Sequence, residues 1–308
     1  MKLNGLDIEQ NRKKYDSKFK STIKKTDVLA AFLHEYIDEY MEMDRDQILA
    51  CIDKEATGRY AKDCNPKPLI GKKNDSEMDT LFRVRLPDSD QSIAVYVNIE
   101  GQNKFYLPYP IEKRAESYVS ELILSQNGKE ILNHDYKNLK KVYSVWLIFN
   151  PPNRLKNTVI RYDRRPEVLF GDLDVKVPDM DLTHVIMVYI GDYNEALPDP
   201  LALVSALFSD NMDSDTRFNT LDDRFNITFT DEERKEVEDL VSLHDSFYEG
   251  YVNYGMTKGY ENATSKYVAS LSAKLDMSVE QAMDLLDVPQ DIREDVRTGA
   301  ERILHKGA

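Results

Sequence analysis

Apolar residues recur every three or four positions across residues 26–40, where Val28, Leu29, Phe32, Leu33, Tyr36, Ile37 and Tyr40 form one stripe. That spacing predicts a helix of several turns with one buried face, and Thr26 or Asp27 is placed to cap it. A short helix is predicted over residues 46–53, and a turn-rich loop over residues 61–75. The period then changes. Residues 80–86 alternate Leu81, Arg83 and Arg85 against Phe82, Val84 and Leu86. Residues 93–100 alternate in the same way, with Val95, Val97 and Ile99 on one face. Two such runs joined by a polar turn at residues 87–91 predict a β-hairpin. Pro110 opens a helix over residues 111–126, with Ala115, Tyr118, Val119, Leu122 and Ile123 at helical spacing. Continuous apolar runs at residues 141–150 and 184–190 predict buried strands.

Beyond Asp199 the pattern is helical. Helices are predicted over residues 200–209, 230–243, 278–286 and 289–305. Thr230 with Glu233, and Ser278 with Gln281, have the spacing of capping boxes. Gly250, Gly255 and Gly259 interrupt an otherwise helical stretch and suggest a flexible joint. The order of elements predicts an α/β fold, a mixed sheet flanked by helices, with a helical C-terminal region. Three segments are expected: a helical one over residues 1–64, the sheet-bearing core over 65–195, and a helical region over 196–308. Cys51 and Cys64 are the two cysteines in 308 residues, too few for a disulfide framework and without CxxC spacing. A reduced, cytoplasmic protein is the simple expectation. No apolar run is long enough to span a bilayer, and the N-terminus carries no apolar signal core.

The net charge is −14, which argues against a protein that coats nucleic acid along its whole surface. The distribution changes that picture. Residues 65–165 hold 17 basic and 12 acidic side chains, whereas residues 166–246 hold 5 and 20. A basic middle is where phosphate could be neutralised, and the acidic segment could contact a protein partner. The most informative chemistry lies at the end of the second predicted strand. There Glu100, Gln102 and Lys104 share one face. A carboxylate with an amide two residues on can ligate a hard divalent cation, and Glu77, Asp79 or Asp75 could supply a second ligand. Phe105, Tyr106 and Tyr109 follow beside Lys104 and Lys113 and could stack on a nucleotide. The five histidines are scattered and read as packing or surface residues. Asp172, Asp174, Asp179 and Asp181 lack an EF-hand's glycine and closing glutamate and read as a solvated loop.

Asn98, Ile99, Glu100 and Gln102, then Arg114 and Tyr118, then Lys141, Val142, Tyr143, Ser144 and Trp146 resemble the PD-(D/E)XK nuclease-like family often labelled transposase, related to the recombination-promoting nucleases. The resemblance covers most of residues 25–260. It implies a restriction-endonuclease-like core in a bacterial or mobile-element protein, and divalent-metal-dependent cleavage of DNA with Mg²⁺ as the cofactor. It also implies that Glu100 binds metal, that Gln102 orients water or phosphate, and that Arg114 faces the same cleft. Lys104, Lys113, Arg114 and Arg83 are the candidate nucleic-acid contacts. One position departs from the family's pattern. Arg83 stands where the first strand is expected to carry its aspartate. Asp79 is on the same face but ~13 Å from that position in an unbroken strand. Two readings follow: an active endonuclease that takes its second ligand from Glu77 or Asp79, or an inactive member that binds nucleic acid or protein. In the second, Arg83 forms an ion pair with Glu100.

Overall fold

The structure is a computed structural model that describes residues 5–64, 78–86, 94–102, 107, 109–171, 181–290 and 292–306. Residues 65–75 of the loop expected at 61–75, and the whole turn at 87–91, lie outside these residues. Five strands form one mixed sheet: β1 (Thr80–Arg85), β2 (Ala94–Gln102), β3 (Val142–Ile148), β4 (Thr158–Asp163) and β5 (Thr183–Tyr189), in the order β1-β2-β3-β5-β4. β1 runs antiparallel to β2, as the hairpin pattern predicts, and β4 runs antiparallel to β5. β2, β3 and β5 are mutually parallel. Every residue of β3 and β5 is buried, which explains their unbroken apolar runs: parallel central strands are covered on both faces. β4 was not anticipated. Its edge position leaves Val159 and Tyr162 exposed, so it lacks the apolar run that marks its neighbours.

Helix α4 (Ile111–Leu124) connects β2 to β3 and covers one face of the sheet. Its Ala115, Tyr118, Val119 and Leu122 pack with Tyr96, Val142, Trp146, Val185 and Met187. The other face receives α1 (Gly5–Lys24), a helix that the apolar pattern does not announce. Among its described side chains the buried apolar ones, Tyr15, Phe19 and Ile23, recur once per turn, with Thr22 buried beside them. Phe19 contacts Phe149, and both contact Phe208 of α5 (Asp199–Phe208), with ring centroids 5.5–6.3 Å apart. Such aromatic clusters bury large areas and prefer the tilted and edge-on geometries seen here.

α2 (Thr26–Tyr36) buries the predicted stripe but ends early, because Ile37 is extended. A 3₁₀ turn at Asp38–Tyr40 follows. Neither Thr26 nor Asp27 caps α2: Lys25 occupies the cap position, and the Thr26 hydroxyl instead donates to the Gly58 carbonyl, 3.1 Å away. α3 (Arg45–Cys51) begins with a full capping box of Asp44 and Gln47. α6 (Ser214–Phe225), also unanticipated, starts where the Asp213 carboxylate accepts from the Thr216 N–H. α7 (Asp231–Leu275) opens on the predicted box: Thr230 N–H donates to Glu233 and Glu233 N–H to the Thr230 hydroxyl. It runs unbroken through Gly250, Gly255 and Gly259, so the predicted interruption is absent. Isolated glycines lower helix propensity by only about 1 kcal/mol each.

The chain divides into two compact units, residues 5–245 and residues 246–308. The second has its own small core, built from Val268 and Ala269 of α7, Ala282 and Met283 of α8 (Val279–Leu285), and Val296 and Ala300 of α9 (Arg293–Lys306). Ser278 and Gln281 form the predicted capping box at the start of α8. A Cβ at Gly299 would collide with the Ser265 side chain, so the α7–α9 crossing requires glycine there. No helix among the described residues is long and apolar enough to cross a membrane.

Arg217 on α6 is fully buried. Its guanidinium donates to the Ala206 and Ser209 carbonyls at 2.6 Å each, satisfying the end of α5. Its Nε lies 3.3 Å from Glu238, in ion-pair contact but without hydrogen-bond alignment. Replacing it leaves buried carbonyls unsatisfied. Arg217→Ala is expected to lower unfolding stability by about 2–4 kcal/mol in urea titrations, while Arg224→Ala, at an exposed pair, costs under about 1 kcal/mol.

Candidate active site

The β1–β2 register pairs Thr80 with Ile99, so the next position outward sets Asp79 opposite Glu100. Two hydrogen bonds lock the pair. The Asp79 N–H donates to Glu100 Oε1 at 2.8 Å, and the Gly101 N–H donates to Asp79 Oδ2 at 2.9 Å. One oxygen of each carboxylate is thereby fixed. Glu100 is buried and Asp79 half-buried. Burial, and then the charge of Asp79, push the Glu100 carboxyl up to about 8. Burial likewise raises Asp79, against the opposing pull of the Gly101 N–H. Among the described residues neither carboxylate has a cation within ion-pair distance.

Arg83 does not occupy this position. It lies opposite Tyr96, and its Nε meets Glu130 at 3.3 Å, while the Tyr96 hydroxyl donates to the same Glu130 oxygen at 3.0 Å. The expected Arg83–Glu100 ion pair is therefore not formed. In an unbroken strand Asp79 lies ~13 Å from Arg83. The register makes that distance irrelevant, because Glu100 pairs at the strand's entry and not at its middle.

Below the pair, Asn98 and Ser144 are fully buried on neighbouring strands. The Asn98 amide donates to the Ser144 hydroxyl at 3.1 Å, and the Trp146 indole N–H donates to the same oxygen at 2.9 Å. Trp146 stands beside Glu100 in the β2–β3 register. On α4, Arg114 donates to the Tyr118 hydroxyl at 2.6 Å and lies over the Trp146 ring at 5.3 Å. Its charge acts on Glu100 and Asp79 from beyond ion-pair distance, holding both carboxyls lower than burial alone would. Gln102 ends β2, two residues beyond Glu100, and is half-buried. The structure thus brings together Asp79, Glu100 and Arg114, with Gln102 on the same face of β2. Lys113 is exposed on α4, and Tyr109 is exposed just before it. Glu77, Lys104, Asp75, Phe105 and Tyr106 lie outside the described residues.

A second polar cluster gathers at the opposite end of the sheet. His184 is fully buried, with Nδ1 2.8 Å from Asp163 and Nε2 3.1 Å from Asp181. Tyr143 stacks on its ring at 4.3 Å and donates to Glu39 at 2.9 Å. Arg161 bonds Asp38 and Asp163, and Lys141 bridges Glu39 and Asp181. Here acids and bases interleave, and their ion pairs tie the turn after α2 to the sheet. Asp181 belongs to this cluster and not to a loop site; Asp172, Asp174 and Asp179 lie outside the described residues. Acids of the 166–246 segment are also spent internally: Glu233 binds Arg59, Asp239 binds Lys18, and Asp199 binds Arg224.

Asp79 and Glu100 fit a hard divalent cation in donor type. Two carboxylates with water or phosphate completing the shell is how Mg²⁺ is commonly held. Their raised affinity for protons reflects burial first, with the charge of Asp79 adding to it at Glu100 and that of Asp16 at Asp79, and a cation would relieve it. No group of three or more His, Cys, Asp or Glu side chains suited to a metal occurs among the described residues. Protein-family models, curated proteins and solved structures, compared with the chain, yield no match.

The raised Glu100 value has a sign that can be checked. The folded protein binds a proton there that the unfolded chain has released above about pH 4.5, so this group's contribution to stability falls as pH rises toward about 8. Glu100→Gln is expected to remove that decline. In thermal melts, its advantage over wild type should grow steadily between about pH 5 and pH 8.5. A constant difference across that range would show that Glu100 ionises normally.

Proposed function

We propose that this chain is a divalent-metal-dependent DNA endonuclease in which Asp79 and Glu100 hold the metal. The observation that carries the reading is the apposition of two carboxylates across β1 and β2, desolvated and without a paired cation among the described residues. Other buried charges among the described residues, such as Glu233 with Arg59 and Arg217 with Glu238, have an opposite charge in contact. Sites that hold unmatched like charges are candidates for function on physical grounds. The sequence resemblance to the PD-(D/E)XK nuclease-like family supports the same assignment for Glu100, Gln102 and Arg114.

When bound, Mg²⁺ supplies Lewis-acid stabilisation of a phosphodiester and an acidified water. The chain's own residues do the rest. The two backbone N–H bonds fix the carboxylates, so no reorganisation is needed on metal entry. Asn98, Ser144 and Trp146 hold the floor of the site in one arrangement. Arg114, oriented by Tyr118, presents positive charge toward phosphate, and the Gln102 amide orients water or a phosphate oxygen. Lys113 extends the contact along the DNA backbone. The alternative, an inactive nucleic-acid- or protein-binding member, takes Arg83 for the lost aspartate and pairs it with Glu100, whereas Arg83 meets Glu130 and Asp79 stands by Glu100, which supports the active reading.

Nicking of supercoiled plasmid DNA with Mg²⁺ or Mn²⁺ tests the reading. Wild type is expected to cleave and EDTA to stop it. Asp79→Asn and Glu100→Gln are each expected to lower the rate by about 10²–10³-fold. Cleavage that survives both substitutions, or no cleavage by wild type with either metal, would overturn it.

A further inference from the structure

A third element reaches the carboxylate pair from the far face of the sheet. A Cβ at Gly101 would sit 3.0–3.1 Å from three ring carbons of Phe19, so α1 crosses β2 closely at the residue between Glu100 and Gln102. The same Gly101 peptide donates to Asp79. The residue after Phe19 is Lys20, and Asp16 lies one turn before it on the same side of α1. Both charges act on Asp79: Lys20 draws its carboxyl down and Asp16 pushes it up.

Lys20 differs from the neighbouring lysines. Lys18 pairs with Asp239 at 3.0 Å, Lys24 with Asp63 at 3.1 Å, and Lys25 with Asp27 at 3.4 Å. Lys20 is half-buried, yet among the described residues no carboxylate lies within ion-pair distance of it. Arg114, the other cation acting on Asp79, is committed to the Tyr118 hydroxyl and the aromatic rings. Gln102, on the strand itself, is neutral. Among the described residues, Lys20 is thus a cation on a long flexible stem, acting on Asp79 and tied to no carboxylate.

We infer that Lys20, donated by the first helix, is a phosphate-holding residue of the site. The inference rests on the phosphodiester reading above. A lysine ammonium is a compact point charge with three rotatable donors, suited to a phosphate oxygen whose charge grows during cleavage. The neutral amide of Gln102 can orient but cannot neutralise, so the two side chains divide the work. Phe19 sets the reach: its ring against Gly101 anchors α1 and so fixes where the Lys20 stem begins.

The test separates this assignment from the nuclease reading. DNA binding by the full chain is measured in Ca²⁺ over a range of salt, and nicking is measured in Mg²⁺. Lys20→Met is expected to reduce the slope of log K against log salt by about 0.9, one phosphate contact, and to slow nicking by about 10²-fold. Lys20→Arg should restore the slope. Lys14→Met, at an exposed position of the same helix, serves as the control for nonspecific loss of charge. Thermal melts establish that each variant is folded. An unchanged slope and rate in Lys20→Met, with wild type still cleaving, would overturn the assignment and leave the nuclease reading intact. Wild type that binds DNA without cleaving it, but loses one contact in Lys20→Met, would sink cleavage while supporting Lys20 as a phosphate contact. Wild type that binds no DNA at low salt would overturn both.

Discussion

The antiparallel register of β1 against β2 is the constraint on which the rest of the site depends. Because Thr80 pairs with Ile99, Asp79 meets Glu100 and each carboxylate receives a backbone N–H from the other strand. A slip of one residue would turn Glu100 toward Phe19 and bring the apolar Ile99 to the face of α4. Burial enforces the register. Phe82 and Val84 match Val97 and Val95 beneath α1 and its neighbours, while Leu81 lies over Asn98 on the α4 face. Both faces are covered, so no shifted pairing preserves the core. Apolar alternation thus holds together two acids that would separate in water.

The pair contrasts with the other buried charges. Arg217 is surrounded by carbonyl acceptors, Glu233 is clasped by Arg59, and His184 sits among paired aspartates. Each of these arrangements compensates desolvation with an opposite charge or a full set of hydrogen bonds. At Asp79–Glu100 compensation is partial: two N–H groups and the Asn98 side chain at Glu100, with Arg114 and Lys20 acting from a distance. The rigid Asn98–Ser144–Trp146 network beneath makes relaxation by movement costly. The two carboxyls thus stay close together over a packed floor with their desolvation only partly compensated.

Charge that is segregated along the chain is interleaved in space. The basic N-terminal residues Lys18 and Lys25 find acids of α7, and Arg59 joins them at Glu233. The surplus of acid over residues 166–246 is thus partly neutralised within the first compact unit. This pairing also explains why Lys20 is conspicuous, since its neighbours on either side along α1 have found carboxylates.

Much of the fold was legible in the chain itself. The stripe of α2, the alternation of β1 and β2, the unbroken apolar runs of β3 and β5, and the capping boxes at Thr230 and Ser278 are local patterns, and each marks an element the structure contains. Elements with weak local signals were missed: α1, whose described buried apolar side chains come once per turn; β4, half-exposed at the sheet edge; and α6, announced only by its Asp213 cap. Glu100 was legible as a candidate because its strand pattern and its neighbours mark it. Its partner was not. Whether Asp79 or Arg83 meets Glu100 depends on pairing between strands, and alternation within a strand does not specify which residues of its neighbour stand opposite. The approach of α1 is of the same kind: a glycine between Glu100 and Gln102 permits it, but only the packing of Phe19 on Gly101 brings Lys20 to the site. Sequence determined which residues could carry chemistry, and tertiary structure decided which of them meet, because long-range register and packing set the distances on which charge and coordination depend.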